Sequence, residues 1–202
     1  MSLFKFVGAM MLSVLLAACG SGAKLAPLPA DGKILTFGDS ITYGIGADPG
    51  ESYPSVLQGL IGREVINAGE PGEVTAQGLA RLPRLLDLYH PKLIILCHGI
   101  NDLLGNLDNG RTAENIRSMI RLAQERGIGV VLVAAPRFRL EIAPAMFYGA
   151  IAVEFGVPYE AGVLSRILND TELKSDAIHP NAKGYRIMAE ALAAKLGGAG
   201  AI

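Results

Sequence analysis

From Lys33 onward, short apolar runs alternate with longer segments whose apolar residues recur at helical spacing, and this alternation restricts the fold more than any other feature. The runs Ile34–Phe37, Glu64–Asn67, Leu93–Cys97 and Ile128–Ala134 are short and rich in β-branched residues, so they read as strands. Val157–Tyr159 is a weaker fifth. The segments between them predict helices over Tyr53–Ile61, Val74–Tyr89, Ala113–Arg126 and Pro144–Phe155, and Ala182–Leu196 follows the last loop as a fifth helix. Thr112 is placed to start the third helix and Gly127 to stop it, while Pro83 is expected to kink or divide the second. Strands that alternate with helices of this length predict an α/β fold with a mostly parallel sheet covered on both faces. A chain of 202 residues holds one such domain with a sizeable core.

Part of the apolar content is not fold. Lys5 precedes a run from Phe6 to Ala18 that only Gly8 and Ser13 interrupt. The run is shorter than the roughly 20 residues that cross a bilayer, and residues 1–18 read as an export signal. Its ending, Leu16-Ala17-Ala18-Cys19, resembles the lipobox of bacterial lipoproteins. That resemblance implies cleavage before Cys19, lipid attachment to its sulfur and a membrane as partner. Gly20, where enteric-type lipoproteins retained at the inner membrane carry Asp, points to the outer membrane, facing the periplasm. Gly20–Gly32 is rich in Gly, Pro and Ala without apolar period, so residues 19–32 are expected to be anchor and flexible tether. The domain is then expected over 33–197, with 198–202 as a tail. Cys97 sits in an apolar run and reads as a buried, inert thiol. The net charge of −1 offers no basic excess for nucleic acid.

In an open parallel sheet, ligands bind beyond the carboxyl ends of the strands, so the polar residues that follow strands matter most. Gly38-Asp39-Ser40 follows the first strand, Gly99-Ile100-Asn101-Asp102 follows the third, and Asp176-Ala177-Ile178-His179 lies near the C-terminus. Each has an ordinary structural use alone: a serine caps a helix, an asparagine closes a turn, an aspartate sits exposed in a loop. Together they supply a nucleophile, a base, a carboxylate to hold the base's tautomer and an amide donor.

These blocks resemble those of the SGNH (GDSL) hydrolase family. Gly38-Asp39-Ser40 matches its first block, Gly99-x-Asn101-Asp102 its GxND block and Asp176-x-x-His179 its last. The stretch Asn67-Ala68-Gly69-Glu70-Pro71-Gly72-Glu73-Val74-Thr75, followed by Gln77-Gly78-Leu79-Ala80-Arg81-Leu82-Pro83, is similar to the bacterial multifunctional thioesterase/lysophospholipase and arylesterase branch. The resemblance covers about Lys33 to Leu196. It implies a three-layer α/β/α sandwich with a flavodoxin-like parallel sheet of about five strands in the order 2-1-3-4-5. It implies a serine esterase with Ser40 as nucleophile, His179 as base and Asp176 as its orienting partner, and no metal or cofactor. The backbone N–H groups of Ser40 and Gly72 and the side-chain amide of Asn101 would form the oxyanion hole, with Gly69 the competing choice for Gly72. Pro71 departs from the pattern, and it has no N–H to give.

Other classes fit less well. Gly44-x-Gly46 with Gly50 has the wrong spacing for a dinucleotide fingerprint, and three scattered histidines have no metal-ligand spacing. Thr42 breaks the G-x-S-x-G elbow of α/β-hydrolases. His98 is expected in a core or supporting role rather than as the base. The loops Leu103–Asn109 and Arg137–Tyr148 should border the site, and their apolar residues suit short-chain acyl or aryl esters, then thioesters and lysophospholipids. The alternatives are an acetyl esterase acting on cell-envelope glycans and a non-catalytic binding lipoprotein with this fold.

Overall fold

The computed structural model describes residues 22–202. The signal segment and Cys19 therefore lie outside the described residues. The chain opens with β1 (Ile34–Gly38), the single-turn α1 (Ser40–Tyr43), α2 (Tyr53–Ile61) and β2 (Val65–Gly69). It continues through α3 (Thr75–Tyr89), β3 (Leu93–Cys97), α4 (Ile100–Leu104), α5 (Asn109–Gln124) and β4 (Gly129–Val133). After β5 (Pro136–Phe138) and β6 (Ile142–Pro144) come α6 (Phe147–Phe155), β7 (Tyr159–Glu160), α7 (Val163–Asn169) and α8 (Ala182–Ala199).

Five parallel strands form one sheet in the order β2-β1-β3-β4-β7. This is the expected 2-1-3-4-5 arrangement, with β7 as its fifth member. β1 and β3 are buried along their whole lengths, as strands covered on both faces must be. α2 packs with α8 on one face and α3 with α5 on the other, so the α/β/α layering follows. β1 steps to β2 in one direction and the chain then steps back across to β3, which under right-handed crossovers sends α2 and α3 to opposite faces.

Several boundaries differ from the sequence reading for identifiable reasons. α5 starts at Asn109 rather than near Thr112, because the Asp108 carboxylate accepts the Arg111 N–H at 2.8 Å and caps the helix four residues before Thr112. Thr112 lies inside the helix, buried. Pro83 does not divide α3, which runs unbroken to Tyr89. Pro144 belongs to a short antiparallel hairpin of β5 and β6 that apolar periodicity does not reveal, since each strand has three residues.

The tether and tail expectations need correction. Residues 25–32 run as a strap under the amino ends of the strands. Leu25 N–H donates to Ala199 O at 2.9 Å and Leu28 N–H to Ala201 O at 2.8 Å. Arg63 donates to Pro29 O. α8 continues through Gly197 and Gly198 to Ala199, and Ala201 is buried. The two termini of the domain hold each other, with Leu28 as the apolar peg in the core. Leu28→Ala should therefore cost about 2–5 kcal/mol in urea denaturation, the usual range for a buried leucine. A change below about 0.5 kcal/mol, typical of surface substitutions, would return this segment to a mere tether.

Candidate active site

Three strand ends meet in one row: Gly38 pairs with Gly69 on one side and with Cys97 on the other. Ser40, Gly72 and Asn101 each follow within a few residues of that row. Ser40 opens α1, but it is not the cap. Asp39 takes that role by accepting the Ile41 N–H at 3.1 Å, which leaves the serine hydroxyl free for another partner. That partner is His179, whose Nε2 lies 3.0 Å from Ser40 Oγ.

The loop carrying His179 is organised by its own aspartate. Asp176 Oδ1 accepts the N–H groups of Ile178 and His179 at 2.8 and 2.9 Å, and Oδ2 lies 2.7 Å from His179 Nδ1. Asn181 closes the loop by donating to Glu172 O and Lys174 O while its own oxygen caps α8. With Nδ1–H donating to Asp176, Nε2 is left as the acceptor for the serine proton. Burial raises the Asp176 carboxyl, but the hydrogen bonds from the His179 ring and from the Ile178 and His179 backbone together outweigh it and hold the carboxyl below its usual range.

On the other side of the serine, the Ser40 and Gly72 N–H groups have no acceptor among the described residues. Gly72 holds φ +79°, a backbone conformation that side chains disfavour. Gly69 is spoken for: its N–H donates to Asn67 Oδ1 and its Cα packs against the backbone of α1. Asn101 Nδ2 donates to Glu73 O at 2.9 Å, and its second N–H remains available.

A polar network supports these donors, and of its members only His98 was expected in a supporting role. The Glu73 carboxylate receives Arg81 Nε at 2.8 Å and Arg81 Nη2 at 2.7 Å, and pairs with His98 Nε2 at 3.0 Å. Arg81 also reaches Ala68 O at the end of β2. Burial pushes Glu73 up, but hydrogen bonds from His98 and Arg81 bring it to about 2. His98 is thus buried support, as expected. Asp102 accepts the Thr75 N–H at 2.8 Å, placing its charge at the amino end of α3, and also accepts the Thr112 hydroxyl. No spacing marked the Glu73–Arg81 pair, because Glu73 lies ahead of α3 and eight residues is not a helical neighbour spacing.

Two loops expected at the site meet in a cavity of about 420 Å³, where Leu103, Leu107 and Phe138 face Asn106, Arg137 and Arg139. It is more polar than expected. Tyr148 does not line it: the ring is buried and its hydroxyl donates to His98 O. A larger cavity, about 1100 Å³, lies elsewhere, between the carboxyl end of α8 and the edge strand β7. Cys97 is buried, and burial raises its thiol well above the usual range.

The chain matches the model of the GDSL-like lipase/acylhydrolase family over residues 36–187. It is 29% identical to the arylesterase of Vibrio mimicus over 197 residues, covering 92% of this chain and 96% of that protein. It is 32% identical to esterase TesA of Pseudomonas aeruginosa over 156 residues, covering 71% and 77%. Its fold superimposes with a TM-score of 0.74 on the psychrotrophic esterase EstA of Pseudoalteromonas sp., in a structure inhibited by monoethylphosphonate, at 20% identity and 83% and 97% coverage.

Asp39 sits fully buried beside these groups, and burial, partly offset by the charge of His98, raises its pKa from 3.8 to about 6. The native state therefore holds a proton that the unfolded chain releases, and the stability it contributes falls as pH rises through that window. Asp39→Asn keeps the acceptor for Ile41. Between about pH 4.5 and 7.5, urea denaturation should show the parent losing about 1–2 kcal/mol relative to this variant. Parallel pH profiles would refute the assignment.

Proposed function

The chain belongs to the GDSL-like lipase/acylhydrolase family, and on that premise we propose that it hydrolyses short-chain acyl or aryl esters through an acyl intermediate on Ser40. It is a carboxylic ester hydrolase, as its family and its arylesterase and esterase relatives establish. The observation that carries the residue assignment is the unbroken relay from Asp176 Oδ2 through both ring nitrogens of His179 to Ser40 Oγ.

In this reading Ser40 Oγ attacks the ester carbonyl carbon while its proton passes to His179 Nε2. The imidazolium is stabilised by Asp176, whose lowered pKa keeps it ionised. The carbonyl oxygen gains negative charge and is met by the N–H groups of Ser40 and Gly72 and the free amide hydrogen of Asn101. Collapse expels the alcohol, which takes the proton from His179. Water then repeats the sequence on the acyl-serine and frees the acid.

Thioesters and lysophospholipids are further substrates in this reading. A second reading, an acetyl esterase acting on envelope glycans, is favoured by one observation: Asn106, Asn109, Arg137 and Arg139 line the cavity between the two loops expected to border the site. Comparing kcat/KM across acyl chain lengths with one acetylated sugar included separates the two.

We propose further that Cys19 carries lipid and that the protein faces the periplasm from the outer membrane. The Leu16-Ala17-Ala18-Cys19 sequence and the Gly20 after it support this. Cys19→Ala should move the protein from the membrane pellet to the soluble fraction, and unchanged fractionation would count against the anchor.

For the chemistry, Ser40→Ala should abolish hydrolysis of p-nitrophenyl butyrate and labelling by a fluorophosphonate. Asn101→Ala should lower kcat by about 10²–10³ with a smaller change in KM, the loss expected of one oxyanion donor. Labelling that persists in Ser40→Ala would place the nucleophile elsewhere.

A further inference from the structure

Asn101 has one amide group to aim, and a single hydrogen bond sets its direction. Nδ2 donates to Glu73 O at 2.9 Å, which fixes the amide plane and with it the line of the second N–H. The usefulness of this donor therefore depends on where the Glu73 carbonyl stands. Three hydrogen bonds to the Glu73 side chain hold that residue in place: Arg81 Nε at 2.8 Å, Arg81 Nη2 at 2.7 Å and His98 Nε2 at 3.0 Å. Along the main chain, the Glu73 N–H closes a turn onto Glu70 O at 3.2 Å, with Pro71 and Gly72 at its corners. Gly72 at φ +79° after a proline gives the type II form, so the residue that holds Asn101 also ends the turn carrying the Gly72 donor.

Two observations separate this arrangement from plain core packing. His98 is buried, yet its Nδ1 has no hydrogen-bond partner among the described residues. A buried ring nitrogen left unpaired weakens the fold, and an apolar side chain beside Phe37 would avoid that loss. The one hydrogen bond that the ring makes is the one to Glu73. Gly78, inside α3, points the same way. A Cβ there would collide with His98 Nε2, so the missing side chain leaves the ring its path to the carboxylate. A glycine within a helix is itself less stable than an alanine. Both departures from the more stable choice converge on one contact.

We propose that Glu73 and His98 are positioning residues for ester hydrolysis: together they aim the Asn101 amide at the oxygen of the reacting carbonyl, raising kcat without tightening the binding of the ester. This rests on the ester-hydrolase reading above and adds to it two residues that act through Asn101 rather than on the substrate.

The test replaces His98 in three ways and follows hydrolysis of p-nitrophenyl butyrate. Glutamine carries its amide nitrogen as many bonds from Cα as histidine carries Nε2, so His98→Gln keeps the donor. In His98→Asn the amide ends one bond short, and His98→Leu fills the space with no donor. Using both keeps a donor-free variant in hand should one fail to fold, which urea denaturation reports. His98→Asn and His98→Leu should lose about tenfold in kcat, a part of the loss caused by removing a donor outright, with KM changed by less than about twofold. His98→Gln should recover most of that loss, ending within about threefold of the parent. In an Asn101→Ala background, His98→Leu should cost no more than about threefold, because the donor that it aims is gone. An equal kcat in parent and variants, an equal loss in all three, a change confined to KM, or an undiminished loss in the Asn101→Ala background would overturn the assignment. A parent protein that leaves the ester intact would instead withdraw the hydrolase reading, and the proposal with it.

Discussion

The row in which Gly69, Gly38 and Cys97 pair side by side governs the rest of this structure. Parallel strands in this register end at the same height, so the segments that leave them begin together. The serine, the Gly72 loop and Asn101 are each within a few residues of their strand's end, and none has far to travel. The same pairing explains why the site stands at the carboxyl edge: successive crossovers send their helices to opposite faces where the strand order reverses, and a crevice opens between them.

Holding that crevice open to substrate requires polar groups below it, and the structure meets the cost of burying them by pairing. Glu73 is nearly enclosed, yet Arg81 and His98 keep it charged, and its carbonyl positions Asn101. Breaking such a pair from one side leaves a buried charge uncompensated. Asp102 spends its charge on the amino end of α3, tying the asparagine's short helix to its neighbours. Asp39 is the exception. Its carboxyl has one backbone N–H and little else, and its raised pKa records that shortfall directly beside Ser40.

The last helix links the two ends of the molecule. Its amino end carries the loop that delivers His179, and its carboxyl end is clasped by the strap from the N-terminus. The Tyr185 hydroxyl, on the first turn of this helix, donates to Ile45 O in the loop after the serine's helix. The histidine and the serine are therefore joined by a rigid bracket as well as by their own hydrogen bond. Residues 139 positions apart meet because both are fixed to the same packed layer.

The sequence by itself determined the α/β alternation, the strand order through its family resemblance and the Asp176-x-x-His179 turn. These depend on local patterning and on contacts within a few residues, which spacing records. It also set Ser40, Gly72 and Asn101 beyond strand ends. What only the tertiary structure decided lies between distant segments. Leu25 and Leu28 look like tether until Ala199 and Ala201 arrive to bond them. Glu73 and Arg81 look like surface charges until the strand ends bury them. Gly69 competes with Gly72 until α1 packs against the first and leaves the N–H of the second without a partner. The polarity of the cavity between the Leu103–Asn109 and Arg137–Arg139 segments was hidden for the same reason, because a side chain's surroundings are made by residues far away in the chain, and sequence spacing carries no record of them.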